Sequence, residues 1–268
     1  MNDVRQSSAK VFISSSDEAN WIVPGSNSQI QCNFAPFILR ANDTTHFVVG
    51  IECLSIPLAI YTVNVYNNTL VTDAVTTTIP VGNYTAATLT TYLNTQTGTT
   101  GVTWTLNATT NCYAVSFVGT KAFTGSAAVL LGYTSSAVPI SSGDFVKTIN
   151  LAYTTGVQIR LDNIQTDNRD SQTGTSSILV RIPITVAPFK VLQYFNSQPF
   201  YTTISNRYIN SFKVSLLDDD YRLLDLVGNP QWNMTLRVDF ADKIDSVRQQ
   251  KLIDESLNGN MLVKKNNI

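Results

Sequence analysis

The sequence predicts an all-β protein, an antiparallel β-sandwich or jelly roll with a small inserted α+β subdomain. Segments of alternating apolar and polar residues recur through most of the chain, separated by polar or proline-containing turns. They do not alternate with long helices, as the strands of a parallel sheet would. Between residues 67 and 150, threonine, small residues and turn signals replace the apolar runs. This change predicts a separate unit within the β chain.

The first β segment covers residues 10–66. It passes from "KVFISSSDEANW" through "SQIQCNFAPFIL" to "HFVVGIECLSIPLAIYTVNVYNN", where apolar residues at a spacing of two predict a long strand. One face of that strand would carry Phe47, Val49, Ile51 and Cys53. Pro57 is expected to end or bend the strand, because proline has no backbone N–H to donate to a neighbour.

Residues 67–150 predict a helix, a β-hairpin and a second short helix. Thr85 is suited to cap the first helix, in which Ala86, Leu89 and Leu93 follow at helical spacing. The segments "GVTWTL" and "CYAVSFVG" flank the five-residue polar loop "NATTN" and predict the hairpin. "GSAAVLLGY" predicts the second helix, which Gly132 would close in the left-handed conformation.

Strand patterns return after residue 145, in "SSILVRIPI", "KVLQYF", "YINSFKVSLLD" and "QWNMTLRVDF". The last of these alternates most regularly and predicts a half-buried strand. Its apolar face would carry Trp232, Met234, Leu236, Val238 and Phe240. Residues 241–268 are charged and amide-rich and predict a helix or an extension outside the sandwich.

Composition and charge narrow the class of function. The chain has 268 residues, of which 43% are hydrophobic and 14% charged, and its formal net charge is -1. This balance argues against nucleic acid or an anionic membrane surface as a partner. The start of the chain shows no apolar core of signal-peptide length, and no apolar run is long enough for a membrane helix, so we expect no export by the standard route and no membrane insertion.

The residue types that usually carry chemistry form no convincing site. His46 is the only histidine, and its position beside Phe47 and Val48 predicts a sheet residue rather than a catalytic base. No glycine-rich phosphate loop is present. We therefore expect no catalytic residue, no metal site and no cofactor.

Two groups of acidic residues were considered as sites. Asp218, Asp219 and Asp220 lack the ligand spacing of a calcium loop and predict a solvated turn after a strand that ends at Leu217. A second acidic segment, "RLDNIQTDNRD", raises the alternative of a paired-carboxylate glycosidase. Its acidic residues are Asp162, Asp167 and Asp170.

Cysteines and tryptophans point to packing. Cys32, Cys53 and Cys112 are far apart and odd in number, which favours reduced thiols over a disulfide framework or a zinc site. Trp104 and Trp232 lie on apolar faces and are predicted core residues, whereas Trp21 and Tyr61 lie near turns and are candidates to face a partner or a sugar. The chain thus predicts assembly or binding rather than turnover.

The order of several segments resembles the penton (vertex) capsid proteins of virophages and of Polinton-like and related large DNA viruses. The segments are "VFISSSDEANW", "LSIPLAIYTVNVYNN", "IPVGNYTAATLTTYLN", "AAVLLGY", "ILVRIPI" and "INSFKVSLLDDDYRLLDLVGNPQWNMTLRVDF", spanning residues 10–240. The resemblance implies one discontinuous jelly-roll domain, residues 1–66 and 151–240. It also implies an insertion domain, residues 67–150, and a C-terminal extension, residues 241–268.

The resemblance further implies a structural role. Five copies would form a homopentamer that closes each five-fold vertex of an icosahedral capsid and contacts the major capsid protein. The insertion would face outward, and the protein would be found at the capsid vertex of the virion after assembly in the host cell cytoplasm. The alternative is another minor capsid or host-attachment protein that binds a receptor or glycan through the insertion. The third alternative is an enzyme that uses Asp167 and Asp170.

Overall fold

The computed structural model describes residues 8–34, 38–41, 45–166, 168–170, 174–175 and 177–242. The strands before the insertion are β1 (Ser8–Ser14), β2 (Trp21–Val23), β3 (Ser26–Asn33), β4 (Leu39–Arg40) and β5 (Thr45–Pro57). A 3-10 helix, Glu18–Asn20, lies between β1 and β2.

The middle of the chain carries both strands and helices. Its strands are β6 (Thr69–Thr72), β7 (Val75–Thr78), β8 (Thr103–Asn107), β9 (Cys112–Thr124) and β10 (Ser136–Asp144). Its helices are α1 (Ala86–Thr95), α2 (Thr97–Thr100) and α3 (Ala128–Leu131).

The last part of the chain is again built of strands. They are β11 (Gly156–Leu161), β12 (Arg169–Asp170), β13 (Gly174–Thr175), β14 (Ile178–Pro183), β15 (Val191–Phe195), β16 (Thr202–Ile204), β17 (Tyr208–Ile209), β18 (Ser211–Leu217) and β19 (Asn233–Asp242).

Two antiparallel sheets form a sandwich with jelly-roll topology. The first sheet has the order β1-β19-β5-β15, with β16 also paired to β5, and the second has the order β14-β11-β18-β3-β2. The chain passes several times between these sheets, and the first and last strands, β1 and β19, are neighbours. Apolar side chains from both sheets share one buried cluster, which includes Phe47, Phe212 and Trp232. The predicted all-β jelly-roll fold is therefore confirmed.

Trp232 ties the two sheets together where β19 begins. Its indole is fully buried and donates a hydrogen bond from Nε1 to the carbonyl oxygen of Asn27, 2.9 Å away, in β3. The Asn27 amide in turn donates to the carbonyl of Pro230 at 2.8 Å. These bonds satisfy polar atoms inside the core, where an unpaired donor would destabilise the fold. The predicted core position of Trp232 is confirmed, as is the alternation of β19.

Strand β5 departs from its predicted regular alternation. Thr235 of β19 pairs with Cys53, but the next residue, Leu236, pairs with Ile51, so Glu52 is an extra residue in β5. Beyond this bulge Leu54 is buried, while Cys53 is only half-buried and its Sγ lies 3.2 Å from Thr235 Oγ1. The prediction that Cys53 continues the buried face was wrong, because a bulge shifts the alternation by one residue.

A second buried cluster belongs to the middle of the chain. Its members include Val63, Leu89, Trp104 and Phe145. The predicted first helix is confirmed: α1 begins after Thr85, which forms a capping box with Thr88. The other expected elements of this region, the hairpin β8–β9 and the short helix α3, are also present.

The middle segment contains more strand than predicted. Its sheet has the order β10-β9-β6-β7, with β8 paired to β9, so β6, β7 and β10 join the predicted hairpin. These strands are rich in threonine and serine rather than large apolar residues, which hid their alternation. The proposed division at residues 66/67 and 150/151 stays a prediction. The second cluster reaches slightly beyond it, to Val63 and Leu151.

The two ends of the sandwich carry different parts of the chain. At one end Thr45 pairs with Asp242 and Ser8 with Asp239, so β1 begins and β19 finishes there. At the other end β5 finishes at Pro57, as predicted, and leads into the middle segment. The predicted extension, residues 241–268, lies outside the described residues except that β19 continues through Asp242.

Removing the Trp104 ring tests the second cluster. The ring is 2% exposed and its centroid lies 5.5 Å from Tyr113, 6.0 Å from Phe123 and 5.7 Å from Phe145. Trp104→Ala is expected to lower the free energy of unfolding by about 3–5 kcal/mol because it leaves a large cavity. Urea unfolding followed by far-UV circular dichroism measures this loss. The control is Val118→Ala, 96% exposed in the same sheet, which should change stability by less than about 0.5 kcal/mol.

Candidate functional site: the junction at the Asp218–Arg222 turn

The residues considered as catalytic candidates do not converge. His46 lies near the start of β5, opposite Ala241, and is half-buried. The Asp162 carboxylate accepts hydrogen bonds from Gln29, 2.9 Å away, and from Ser215, and it pairs with Arg160. Asp167 lies outside the described residues, and Asp170 is described only as backbone in β12. Within the described ranges, no cluster of three or more His, Cys, Asp or Glu side chains is placed to hold a metal ion.

Trp21 and Tyr61, the aromatic residues predicted as candidates to face a partner, are partly packed within the protein. Trp21 is half-buried, and its Nε1 donates to the carbonyl of Ser15 at 2.9 Å. Tyr61 packs against Phe189 with 5.7 Å between ring centroids. Trp104 is a core residue, as predicted. The three cysteines, Cys32, Cys53 and Cys112, are free thiols.

The acidic turn after β18 is hydrogen-bonded and partly buried, and it is not the solvated turn that the sequence predicts. Asp218 is 1% exposed, and its carboxylate accepts hydrogen bonds from the Tyr153 hydroxyl at 2.7 Å and from Arg222 Nε at 2.9 Å. Backbone N–H groups of Asp220 and Arg222 also donate to it, each at 2.9 Å. The prediction failed because the turn is packed against the segments that lead into and out of the insertion.

Two tyrosines from those connecting segments hold the turn. Tyr66, after β5, lies parallel to Tyr153, before β11, with an interplanar angle of 11° and 6.5 Å between centroids. The Arg222 guanidinium lies 4.8 Å from the centre of the Tyr66 ring, within cation–π range. The Tyr66 hydroxyl donates to the carbonyl of Leu223 at 3.4 Å. Residues from three separate parts of the chain therefore meet at this junction.

Burial and the carboxylate set the proton affinity of Tyr153. Burial of its ring raises the pKa of the Tyr153 hydroxyl, and the hydrogen bond that it donates to Asp218 raises the pKa further. The hydroxyl consequently remains a donor, as the Asp218 carboxylate requires.

Asp219 makes a second link to the segment before β11. Its carboxylate accepts hydrogen bonds from the Thr155 backbone N–H at 2.6 Å and the Thr155 hydroxyl at 2.8 Å, and it pairs with Arg181 at 2.6 Å. Burial opposes ionisation, but these donors and the Arg181 charge outweigh it, so the pKa of Asp219 is lowered. Asp220, in contrast, has a 71% exposed side chain.

Two cavities flank the junction. One of about 230 Å³ lies beside Tyr66, Asn150, Asp219 and Arg222. The other, about 370 Å³, is mainly apolar and lies between Leu58, Ile60, Tyr153 and Ile184. Beside the first cavity, Arg222 pairs with Asp218 and Asp220, and Asp219 pairs with Arg181. This arrangement is suited to fixing the insertion on the sandwich. The sequence did not identify Tyr66, Tyr153 and Arg222 as residues of this junction. The two tyrosines on either side of the predicted insertion were the feature that could have indicated it.

None of the described helices is long and apolar enough to cross a membrane. No protein-family model matches the sequence, and no curated protein matches it. Among solved structures, the crystal structure of selenomethionine-labelled mavirus penton protein matches with a TM-score of 0.46 and 10% sequence identity. The match covers 88% of this chain and 99% of that chain.

Substituting the buried carboxylate tests the junction. Asp218→Ala removes the acceptor of the buried Tyr153 hydroxyl, of Arg222 Nε and of two backbone N–H groups, and it is expected to lower the free energy of unfolding by about 1–3 kcal/mol. The matched control is Asp220→Ala, which removes the 71% exposed second partner of Arg222 and should cost less than about 0.5 kcal/mol. Chemical denaturation of both variants measures the difference. Equal losses would show that Asp218 does not hold the junction.

Acidification tests Asp219. Because its folded-state pKa is lowered, its contribution to stability is complete above the ordinary aspartate value, about 3.9, and is lost as the pH falls through the folded value. The unfolding free energy of the native protein should exceed that of Asp219→Asn by a constant amount above about pH 5. That excess should shrink below about pH 4. Denaturation curves across this range measure it, with Asp220→Asn as control; an excess that is constant down to pH 3 would contradict the assignment.

Proposed function

We propose that this chain is a structural subunit of an icosahedral viral capsid, a penton protein whose homopentamers close the five-fold vertices. The observation that carries the proposal is the order of the resembling segments. Those that begin before residue 58 or after residue 177 contain strands of the two main sheets, and the two between them contain helices α1 and α3. A closed ring requires broad lateral surfaces and a rotation that closes, and it requires no active site.

The arrangement of the two ends supports an outward-facing insertion. The insertion leaves the sandwich at the end opposite to the start of β1 and the finish of β19. A subunit of this shape would present the insertion outside the capsid and the opposite end toward the interior, while its sides contact the major capsid protein. Its location would be the capsid vertex of the virion, after assembly in the host cell cytoplasm.

The chemistry of the surface supports assembly rather than nucleic-acid binding. The chain has 18 basic and 19 acidic residues, and its charged fraction is only 14%. Such a surface forms broad contacts with modest desolvation cost. Glycoside hydrolysis by Asp167 and Asp170 stays a prediction, because both side chains lie outside the part of the chain that the structure describes.

A host-attachment or other minor capsid role is the second candidate. It is favoured by apolar side chains that project from the insertion: Val118 is 96% exposed, Val146 93% and Val138 71%. Exposed apolar side chains on a polar surface are common at binding sites for other macromolecules. A receptor or glycan would bind there.

The mass of the purified protein tests the first candidate. Light scattering coupled to size exclusion is expected to give about five times the 29.4 kDa chain mass, because five-fold closure produces one defined species. Negative-stain images of the same fraction should show five-fold rings. A stable trimer, or localisation in virions away from the vertices, would contradict the penton role and favour the second candidate.

A further inference from the structure

The outer face of the first sheet carries phenylalanine side chains that the sandwich core does not cover. Phe12 of β1 pairs with Thr235, Thr235 pairs with Cys53, and Cys53 pairs with Phe195 of β15. These four residues form one row across the sheet. Both phenylalanines are 75% exposed. A solvated sheet face normally carries polar side chains, so two exposed rings in one row call for an explanation.

A groove runs between the two rings. Its volume is about 420 Å³, and Phe12 and Phe195 both line it. The residues between them are short: Cys53, Ser55, Asn233 and Thr235. Since short side chains separate the two rings, the face has a recess into which a partner side chain fits.

A third exposed phenylalanine belongs to a segment that crosses this face. The segment that follows β15 crosses the sheet at Gly50, where a Cβ would lie only 2.7 Å from the Cβ of Pro199. Glycine at position 50 thus allows this close approach. The next residue, Phe200, is 83% exposed. We call Phe12, Phe195 and Phe200 the phenylalanine face.

The exposed area of this face is that of an interface. Three phenylalanine rings at these exposures present roughly 450 Å² of apolar surface, taking about 200 Å² for each ring. This lies within the range of about 300–600 Å² for the largest apolar patch on a typical monomer, a patch that is often functional. It is more than half of the about 800 Å² that each partner buries in a stable complex.

The charges around the phenylalanine face are already paired within the chain. Lys10 Nζ lies 2.7 Å from Glu52 Oε1, and Arg237 Nε lies 3.2 Å from Asp239 Oδ1. A nucleic acid or a strongly charged protein would therefore gain little here. A partner with a low-charge surface fits, and this chain, in which 14% of all residues are charged, is low in charge overall.

We propose that the phenylalanine face binds a second copy of this chain. The proposal deepens the ring function and rests on it, because assembly into a ring brings identical copies together. The rings of Phe12, Phe195 and Phe200 are the apolar centre of the contact, and the Lys10–Glu52 and Arg237–Asp239 pairs lie at its rim.

Polar substitutions on the full-length chain test this assignment. Phe12→Ser, Phe195→Ser and Phe200→Ser are made singly and together; their exposure means that folding should be retained, which far-UV circular dichroism and the unfolding midpoint verify. The matched control is Val118→Ser, which removes an apolar side chain of 96% exposure from the insertion. Mass is followed by light scattering over a range of concentrations.

We expect each phenylalanine substitution to weaken self-association by about tenfold and the triple variant to be monomeric. Val118→Ser should associate like the native protein. Native-like assembly of the triple variant would overturn the proposal while leaving the ring intact. A native protein that forms only dimers, lost in the triple variant, would support this face and overturn the ring. A native protein that is monomeric at all concentrations would overturn the self-contact.

Discussion

Antiparallel pairing throughout the two main sheets is the constraint on which the rest of the structure depends. Strand β5 finishes beside the start of β19. Strand β11 starts beside the end of β18, which pairs with the start of β3, and Asn27 there binds Trp232 just before β19. The long connection from β5 to β11 therefore leaves and returns at one end, and that connection holds the whole insertion. The antiparallel pairing of β1 with β19 puts the beginning of β1 beside the finish of β19 at the other end.

The Asp218 carboxylate makes this architecture specific at the junction. A carboxylate with 1% exposure is costly to bury, and the protein offsets that cost with Arg222, Tyr153 and two backbone donors. Because these partners come from the turn after β18 and from the chain before β11, the bonds form only when both segments are in place. The Tyr66 ring, which Arg222 contacts, connects the segment after β5 to the same junction. The insertion is thus fixed by polar groups that tolerate few alternative arrangements.

Sequence periodicity predicted the helices and strands that bury only one of their two faces. The alternating residues of β19 and the helical spacing of Leu89 and Leu93 identified their elements correctly, because each has one apolar and one polar face. Strands of the third sheet, such as "VTTT" in β7, carry hydroxyl side chains and gave little signal. The bulge at Glu52 and the burial of Asp218 depend on contacts between residues far apart in the chain, about which local alternation carries no information. Of the junction, the sequence alone identified only the acidic turn, and it assigned that turn to solvent.

The bulge in β5 also determines where this strand tolerates a change of length. Deleting one residue from a regular strand turns every side chain beyond the deletion to the opposite face. Position 52 is different, because Glu52 is the residue without a counterpart in β19. Its loss would join Ile51 directly to Cys53 and leave Leu54 and Ile56 facing the core. Natural length variation in this strand should therefore concentrate at the bulge.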